Sequence, residues 1–178
     1  MAKGRADGYN NHNMVDGYLE SLLGRSKTPS IDPKLRRQLG EDGQHPKAIV
    51  FCCSDSRVVP ELIFSCPIGE LFVIRTAGNT LGDNEIASID YAYHHLGVTR
   101  LIVLGHTHCG AIASALECEH SDNPLLSSIQ SHIHGEKDPC KASALNAKEV
   151  AKEIQQRFDG LSVYALLYDI VNGEISTL

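Results

Sequence analysis

The chain has 178 residues, of which 42% are hydrophobic, a length and composition that suit one domain with a sizeable core. Its 16 basic and 22 acidic residues leave a formal charge of -6, and no Lys/Arg-rich block stands out, which argues against a nucleic-acid partner. No apolar run approaches the ~18 residues of a membrane span, and the opening "MAKGRADGYNNHN" lacks the apolar stretch of a secretory signal. The expectation is a cytoplasmic protein with no membrane contact. In a reducing compartment the six cysteines (52, 53, 66, 109, 118 and 140) are expected as thiols or metal ligands rather than disulfides.

Residues 1–12 are polar and rich in Gly and Asn, which predicts a loose arm. Val15, Tyr18, Leu19, Leu22 and Leu23 then recur with helical period, so an amphipathic helix is predicted with Gly24 as its stop. A second, shorter helix is predicted from about Asp32. "AIVFCC" (48–53) is a continuous apolar run without helical period and reads as a buried strand. "ELFVIR" (70–75), "RLIVLG" (100–105) and "LSVYALLYD" (161–169) read the same way, and "EISTL" (174–178) as a short last strand after a "VNG" hairpin turn. Between them, Ile86, Ile89, Tyr93 and Leu96 mark one helix, with Asp83 as candidate N-cap and Gly97 as stop. Val150, Ile154 and Phe158 mark another, stopped at Gly160. The polar segment from Cys118 to Cys140 carries no specific signal. The alternation predicts an α/β fold: a central, mostly parallel sheet of four to five strands flanked by helices, preceded by an N-terminal helical arm. A single domain is expected over 1–178, with arm and helices in 1–42 and the α/β core in 43–178.

Two reactive clusters fall at predicted strand ends. "CCSDSR" (52–57) follows the first strand and "GHTHCG" (105–110) the third. In an open α/β sheet such ends can be neighbours, and the crevice outside them is the usual ligand site. Cys53 or Cys52, one or two histidines and Cys109 then supply a Cys2His donor set, which leaves zinc a fourth position. Each cluster alone carries a blander explanation, a core thiol or a hydrogen-bonded loop histidine; their pairing, with Asp55 and Arg57 close by, favours the metal.

"CSDSR" (53–57), followed about fifty residues later by "GHTHCGA" (105–111), resembles the β-class carbonic anhydrases, whose pattern is Cys-x-Asp-x-Arg and then His-x-x-Cys. The likeness is dense over roughly residues 43–116 and looser in the last strands. It implies a zinc-dependent enzyme, a carbonate dehydratase, that reversibly hydrates CO2 to bicarbonate and a proton by a zinc-bound hydroxide. The family register implies Cys53, His106 and Cys109 as ligands of one Zn2+ per chain. This agrees with the strand rule that Cys52 faces away from Cys53. Asp55 and Arg57 become a catalytic pair, Arg57 holding Asp55 and Asp55 orienting the hydroxide. Gln44 is implied as a hydrogen-bond donor to substrate or bicarbonate, and Phe72, Ala77 and Tyr91 as an apolar lining shared with a neighbouring subunit. The resemblance further implies a homodimer or a dimer of dimers. Gly105 and Gly110 are expected to let the backbone turn tightly around the ion.

Some members bind inhibitory bicarbonate through a tryptophan on the first strand; this chain has Val50 there and no Trp, although Arg75 is retained, so that site is expected to be absent or altered. The nearest alternative is a COS or CS2 hydrolase on the same scaffold. A non-catalytic zinc protein or redox sensor using Cys52 and Cys53 is a more distant one. A dinucleotide-binding domain lacks its G-x-G-x-x-G after the first strand.

Overall fold

A computed structural model of the chain describes residues 17–26, 31–118 and 121–178. The chain divides into two compact units, with the boundary between Arg37 and Gln38. In the first, the amphipathic pattern forms α1 (Gly17–Ser26); Val15 lies outside the described residues. This helix runs through Gly24 instead of stopping there, since one glycine costs a helix only about 1 kcal/mol relative to alanine. α2 (Pro33–Asp42) begins as predicted, with Asp32 Oδ1 accepting the Lys34 N–H at 2.9 Å and Pro33 at the first helical position.

The second unit holds a five-stranded sheet. Its strands are β1 (Ala48–Cys53), β2 (Leu71–Thr76), β3 (Arg100–His106), β4 (Ser162–Tyr168) and β5 (Ile175–Thr177), in the order β2-β1-β3-β4-β5. The first four are parallel, and β5 returns antiparallel along β4 through the predicted hairpin. Alternation along β1 sorts its side chains onto two faces. Ile49 and Phe51 join a core with Leu101 and Val103 of β3, covered by α4 (Asp83–His94) through Ile89 and Ala92 and by α7 (Pro139–Arg157) through Val150 and Ile154. Val50 and Cys52 point the other way, into a smaller cluster with Val58 and Leu104 that Ile63 of the short α3 (Pro60–Ile63) packs against. Burying side chains such as Ile49 and Phe51 contributes roughly 1.5–3 kcal/mol each.

Three further helical features, in the second unit, depart from the sequence reading. Asp83 is not the N-cap of α4: Gly82 is, and Asp83 opens the first turn, where its charge suits the helix dipole. α7 begins far upstream of its readable apolar stripe, with Asp138 Oδ1 accepting the Lys141 N–H at 2.8 Å and Pro139 next. The uninformative Cys118–Cys140 segment contains α6 (Pro124–Ile133), capped by the Asn123 side chain on the Leu125 N–H at 3.0 Å. Both Asn-Pro and Asp-Pro are start signals that could have been read.

Candidate metal centre

β1 and β3 are adjacent and parallel, with Cys52 opposite Leu104, so their carboxyl ends project at the same edge. Cys53 is the last residue of β1 and His106 the last of β3. Three residues after His106, Cys109 caps α5 (Gly110–Glu117). One ligand atom from each of these three side chains lies within 4.8 Å of the others, and all three residues are buried. Cys52 falls in the opposite cluster and takes no part.

The donor geometry fits a zinc ion. The two sulfurs stand 4.0 Å apart. Two thiolates bonded to one tetrahedral zinc at about 2.3 Å are separated by about 3.8 Å. His106 is 1% exposed, and its Nδ1 donates to the Thr107 carbonyl at 2.8 Å. That bond fixes the tautomer and leaves Nε2 bare. Nε2 is buried and has no hydrogen-bond partner among the described residues. A buried nitrogen left so would cost roughly 1–3 kcal/mol, and a metal bond removes that cost.

The two thiols lie within hydrogen-bonding reach of each other. Cys53 is pulled far below the ordinary thiol range, first by the hydrogen bond from Cys109 against the opposing effect of burial, then by His106 and the Gly78 N–H. Cys109 is pushed up by that same bond and by burial, although the Ile112 and Ala111 N–H groups at the start of α5 counter part of this. A site that stabilises one thiolate before any ion arrives suits a cation. The Gly78 N–H reaches Cys53 Sγ at 3.2 Å from a 3-10 turn (Ala77–Asn79) just after β2.

The turn between the two donors of "HTHC" is not made by glycines. Gly105 and Gly110 both lack a positive φ; His108 takes the left-handed conformation instead, at φ 54. Gly105 serves packing: a Cβ there would stand 3.0 Å from Ala147 Cβ and 3.2 Å from the Ser143 carbonyl, so its absence lets α7 lie close on β3. Thr107 ties the loop to the end of β4, donating its N–H to Tyr168 O at 3.0 Å and accepting from Ile170 N at 3.1 Å.

Asp55 and Arg57 do meet. Arg57 donates from Nε to Asp55 Oδ1 at 2.9 Å, from Nη2 to Oδ2 at 2.7 Å, and from its backbone N–H to Oδ1 at 2.9 Å. Its Nη2 also reaches the His108 carbonyl at 3.1 Å, tying the two clusters together. The Arg57 guanidinium holds the Asp55 carboxyl well below the usual carboxylate range. Asp55 thus faces Arg57 and is not one of the three clustered donors. Arg75 is committed as well: it donates to the carbonyls of Cys53 at 3.3 Å, Asp55 at 2.7 Å and Val58 at 2.8 Å, holding the loop that carries the pair. Sequence reasoning missed this clamp, and missed Gly78 and Thr107, because all three act through backbone groups.

The remaining predicted residues divide. Ala77 adjoins Gly78, beside the centre. Phe72 pairs with Ile49 while Thr76 pairs with Cys53, so Phe72 sits four residues, about 13 Å of strand, from the cysteine end. Tyr91 is with Phe72, ring centroids 6.3 Å apart, and Gln44 is exposed ahead of β1. Within one chain these three are not brought to the metal donors.

Comparison with known proteins agrees with this geometry. The family model described as "Carbonic anhydrase" matches residues 48–175. "Carbonic anhydrase 2" of Mycobacterium tuberculosis is 42% identical over 103 residues, covering 58% of this chain and 49% of that protein. A carbonic anhydrase of a Synechocystis species is 34% identical over 164 residues, covering 75% and 60%. The chain therefore spans about half the length of the first curated relatives it matches. Among solved structures, a tetrameric β-carbonic anhydrase from the ascomycete Sordaria macrospora has a TM-score of 0.71 at 26% identity, covering 89% of this chain and 92% of that one. The β-carbonic anhydrase CcaA has a TM-score of 0.68 at 29% identity, covering 90% and 81%. With the matched segment running from β1 to β5 through every clustered donor, the chain belongs to the β-class carbonic anhydrase family.

Proposed function

We propose that this protein is a zinc-dependent carbonate dehydratase that interconverts CO2 and bicarbonate, with Cys53 Sγ, His106 Nε2 and Cys109 Sγ holding the ion. The observation that carries this reading is the buried Cys-His-Cys group with an unpartnered Nε2. Zinc, when bound, supplies a Lewis acid that makes a water molecule acidic enough to serve as a nucleophile near neutral pH. The protein's own part is orientation. Asp55, kept ionised by Arg57, accepts a hydrogen bond from the attacking water and aims its lone pair. Arg57 keeps that carboxylate away from the donor set, and Arg75 fixes the loop beneath both. Ala77, in the turn that also carries Gly78, is assigned to the substrate side of the centre, where a small apolar side chain suits CO2, a molecule with little to hydrogen-bond.

Gln44, Phe72 and Tyr91 are assigned to the site of a partner subunit. The support is their place at the opposite end of β1 and β2, with Tyr91 45% exposed. The working unit is then a homodimer or a dimer of dimers. No helix among the described residues is long and apolar enough to cross a membrane, and a cytoplasmic location is proposed. COS and CS2 would meet the same donors, and nothing in the geometry favours them. Stopped-flow CO2 hydration on metal-quantified protein tests the reading, with COS turnover measured alongside. About one zinc per chain, CO2 the faster substrate, and loss of both metal and activity in Cys109→Ala support it. Zinc-loaded protein that does not hydrate CO2 refutes it.

A further inference from the structure

A buried polar line leads from α6 and α7 to Cys53. His132, on α6, is 7% exposed. Its Nδ1 lies 3.0 Å from Asn146 Oδ1 and its Nε2 3.0 Å from Glu153 Oε1, both on α7. Asn146 is wholly buried, and its Nδ2 donates to the Gly78 carbonyl at 2.9 Å. The Gly78 N–H in turn donates to Cys53 Sγ. Four contacts of hydrogen-bond length thus connect a partly exposed carboxylate to a candidate ligand sulfur, and every buried member of the line lies against another. A buried network in that condition is rigid, whereas one with a missing partner is costly.

The chemistry dictates which way the amide points. The Gly78 carbonyl demands a donor, so Asn146 presents Nδ2 to it and Oδ1 to His132. Gly78 itself is at φ 66, the residue type with the most rotational freedom, and its N–H direction follows from how its two peptide groups are held. We propose that Asn146, oriented by His132, is a positioning residue for the metal centre: it anchors the Gly78 carbonyl so that the Gly78 N–H stays aimed at Cys53 Sγ. This rests on the reading of Cys53 as a metal ligand. An N–H···S bond draws charge from a thiolate and orients its lone pairs, so it tunes how firmly the sulfur binds an ion. Losing such an outer partner lowers metal affinity or activity by about 10–100-fold.

The test uses the full chain loaded with Co2+, read by the thiolate-to-cobalt charge-transfer band and by chelator competition. Asn146→Asp retains an acceptor for His132 but replaces the donor to Gly78 with an oxygen. It is expected to weaken Co2+ binding about 10-fold and to shift the band; His132→Gln should move both in the same direction by less. A purely structural role leaves band position and affinity unmoved in a folded variant. If Asn146→Asp does not fold, Cd2+-loaded wild type and His132→Gln decide by NMR: scalar coupling between the Gly78 amide proton and the cadmium nucleus, present in the wild type and weakened in the variant, supports the proposal. Unchanged affinity and band in folded Asn146→Asp, or a cadmium coupling that is absent or equal in the two proteins, overturns the positioning role and leaves the metal reading standing. A wild type with no charge-transfer band overturns both.

Discussion

Replacing Gly78 with alanine should damage stability and the metal centre together. Gly78 sits at φ 66, and a Cβ added there would stand 2.7 Å from Ile129 Cδ1 and 3.1 Å from Ala111 Cβ. Ile129 is wholly buried, so its terminal methyl can give way only by repacking against its neighbours. The left-handed backbone costs an L-residue roughly 1–2 kcal/mol, and overpacking a filled core costs about 1–3 kcal/mol. Alanine recovers about 0.5 kcal/mol by restricting the unfolded chain. The net loss is then roughly 2–4 kcal/mol, or about 5–15 °C in Tm for a chain of this size. Denaturant titration reads the loss directly. Ile129→Val removes the clashing methyl at a cost of about 0.5–1.5 kcal/mol on its own. The double variant should therefore recover about 1 kcal/mol relative to the sum of the single changes. A loss below about 0.5 kcal/mol in Gly78→Ala, or strict additivity in the double variant, would refute the reasoning that this glycine is required by crowding between the turn and α6.

Arg57→Ala should separate activity from stability: the half-exposed ion pair adds little to folding, whereas misplacing Asp55 should lower CO2 hydration by about 10–100-fold. Arg57→Lys should not rescue it, because an ammonium cannot grip both carboxylate oxygens in a fork; wild-type rates in either variant contradict the assigned role. Because Asp55 is depressed in the folded state, whatever stability the pair adds is present above the ordinary carboxylate range and lost as pH falls from that range toward the depressed folded value. Any Tm gap between wild type and Arg57→Ala should therefore narrow below about pH 4, and a gap that widens on acidification would reverse the sign. Burial pushes the Cys52 thiol up to about 12, so iodoacetamide near neutral pH should modify exposed Cys118 and Cys140 but reach Cys52 only after unfolding; peptide mapping that finds Cys52 alkylated in the native protein contradicts its placement in the core.

The sheet was legible because its strands are short apolar runs bounded by turn signals, and the side-chain alternation of β1 correctly separated Cys52 from Cys53. The convergence of "CSDSR" and "HTHC" followed from strand ends being neighbours in a parallel sheet. What the sequence did not disclose are contacts made by main-chain atoms. Arg75 grips three carbonyls, Gly78 offers an N–H, and Thr107 ties a loop to β4, and none of these needs a particular neighbour in sequence. The flanking glycines suggest themselves for the tight turn before Cys109, yet His108 takes it, its carbonyl held by Arg57. Asn146 and His132 were invisible for a related reason. They lie 14 residues apart on separate helices and meet only through packing.

The proposed zinc ion is held by two sulfurs and one imidazole. X-ray absorption at the zinc edge of the purified protein tests it most directly, because it counts ligands by type. Two sulfurs near 2.3 Å and lighter donors near 2.0–2.1 Å are expected, falling to one sulfur in Cys53→Ser. A shell of four sulfurs, a shell with none, or a Cys53→Ser spectrum identical to wild type would contradict it.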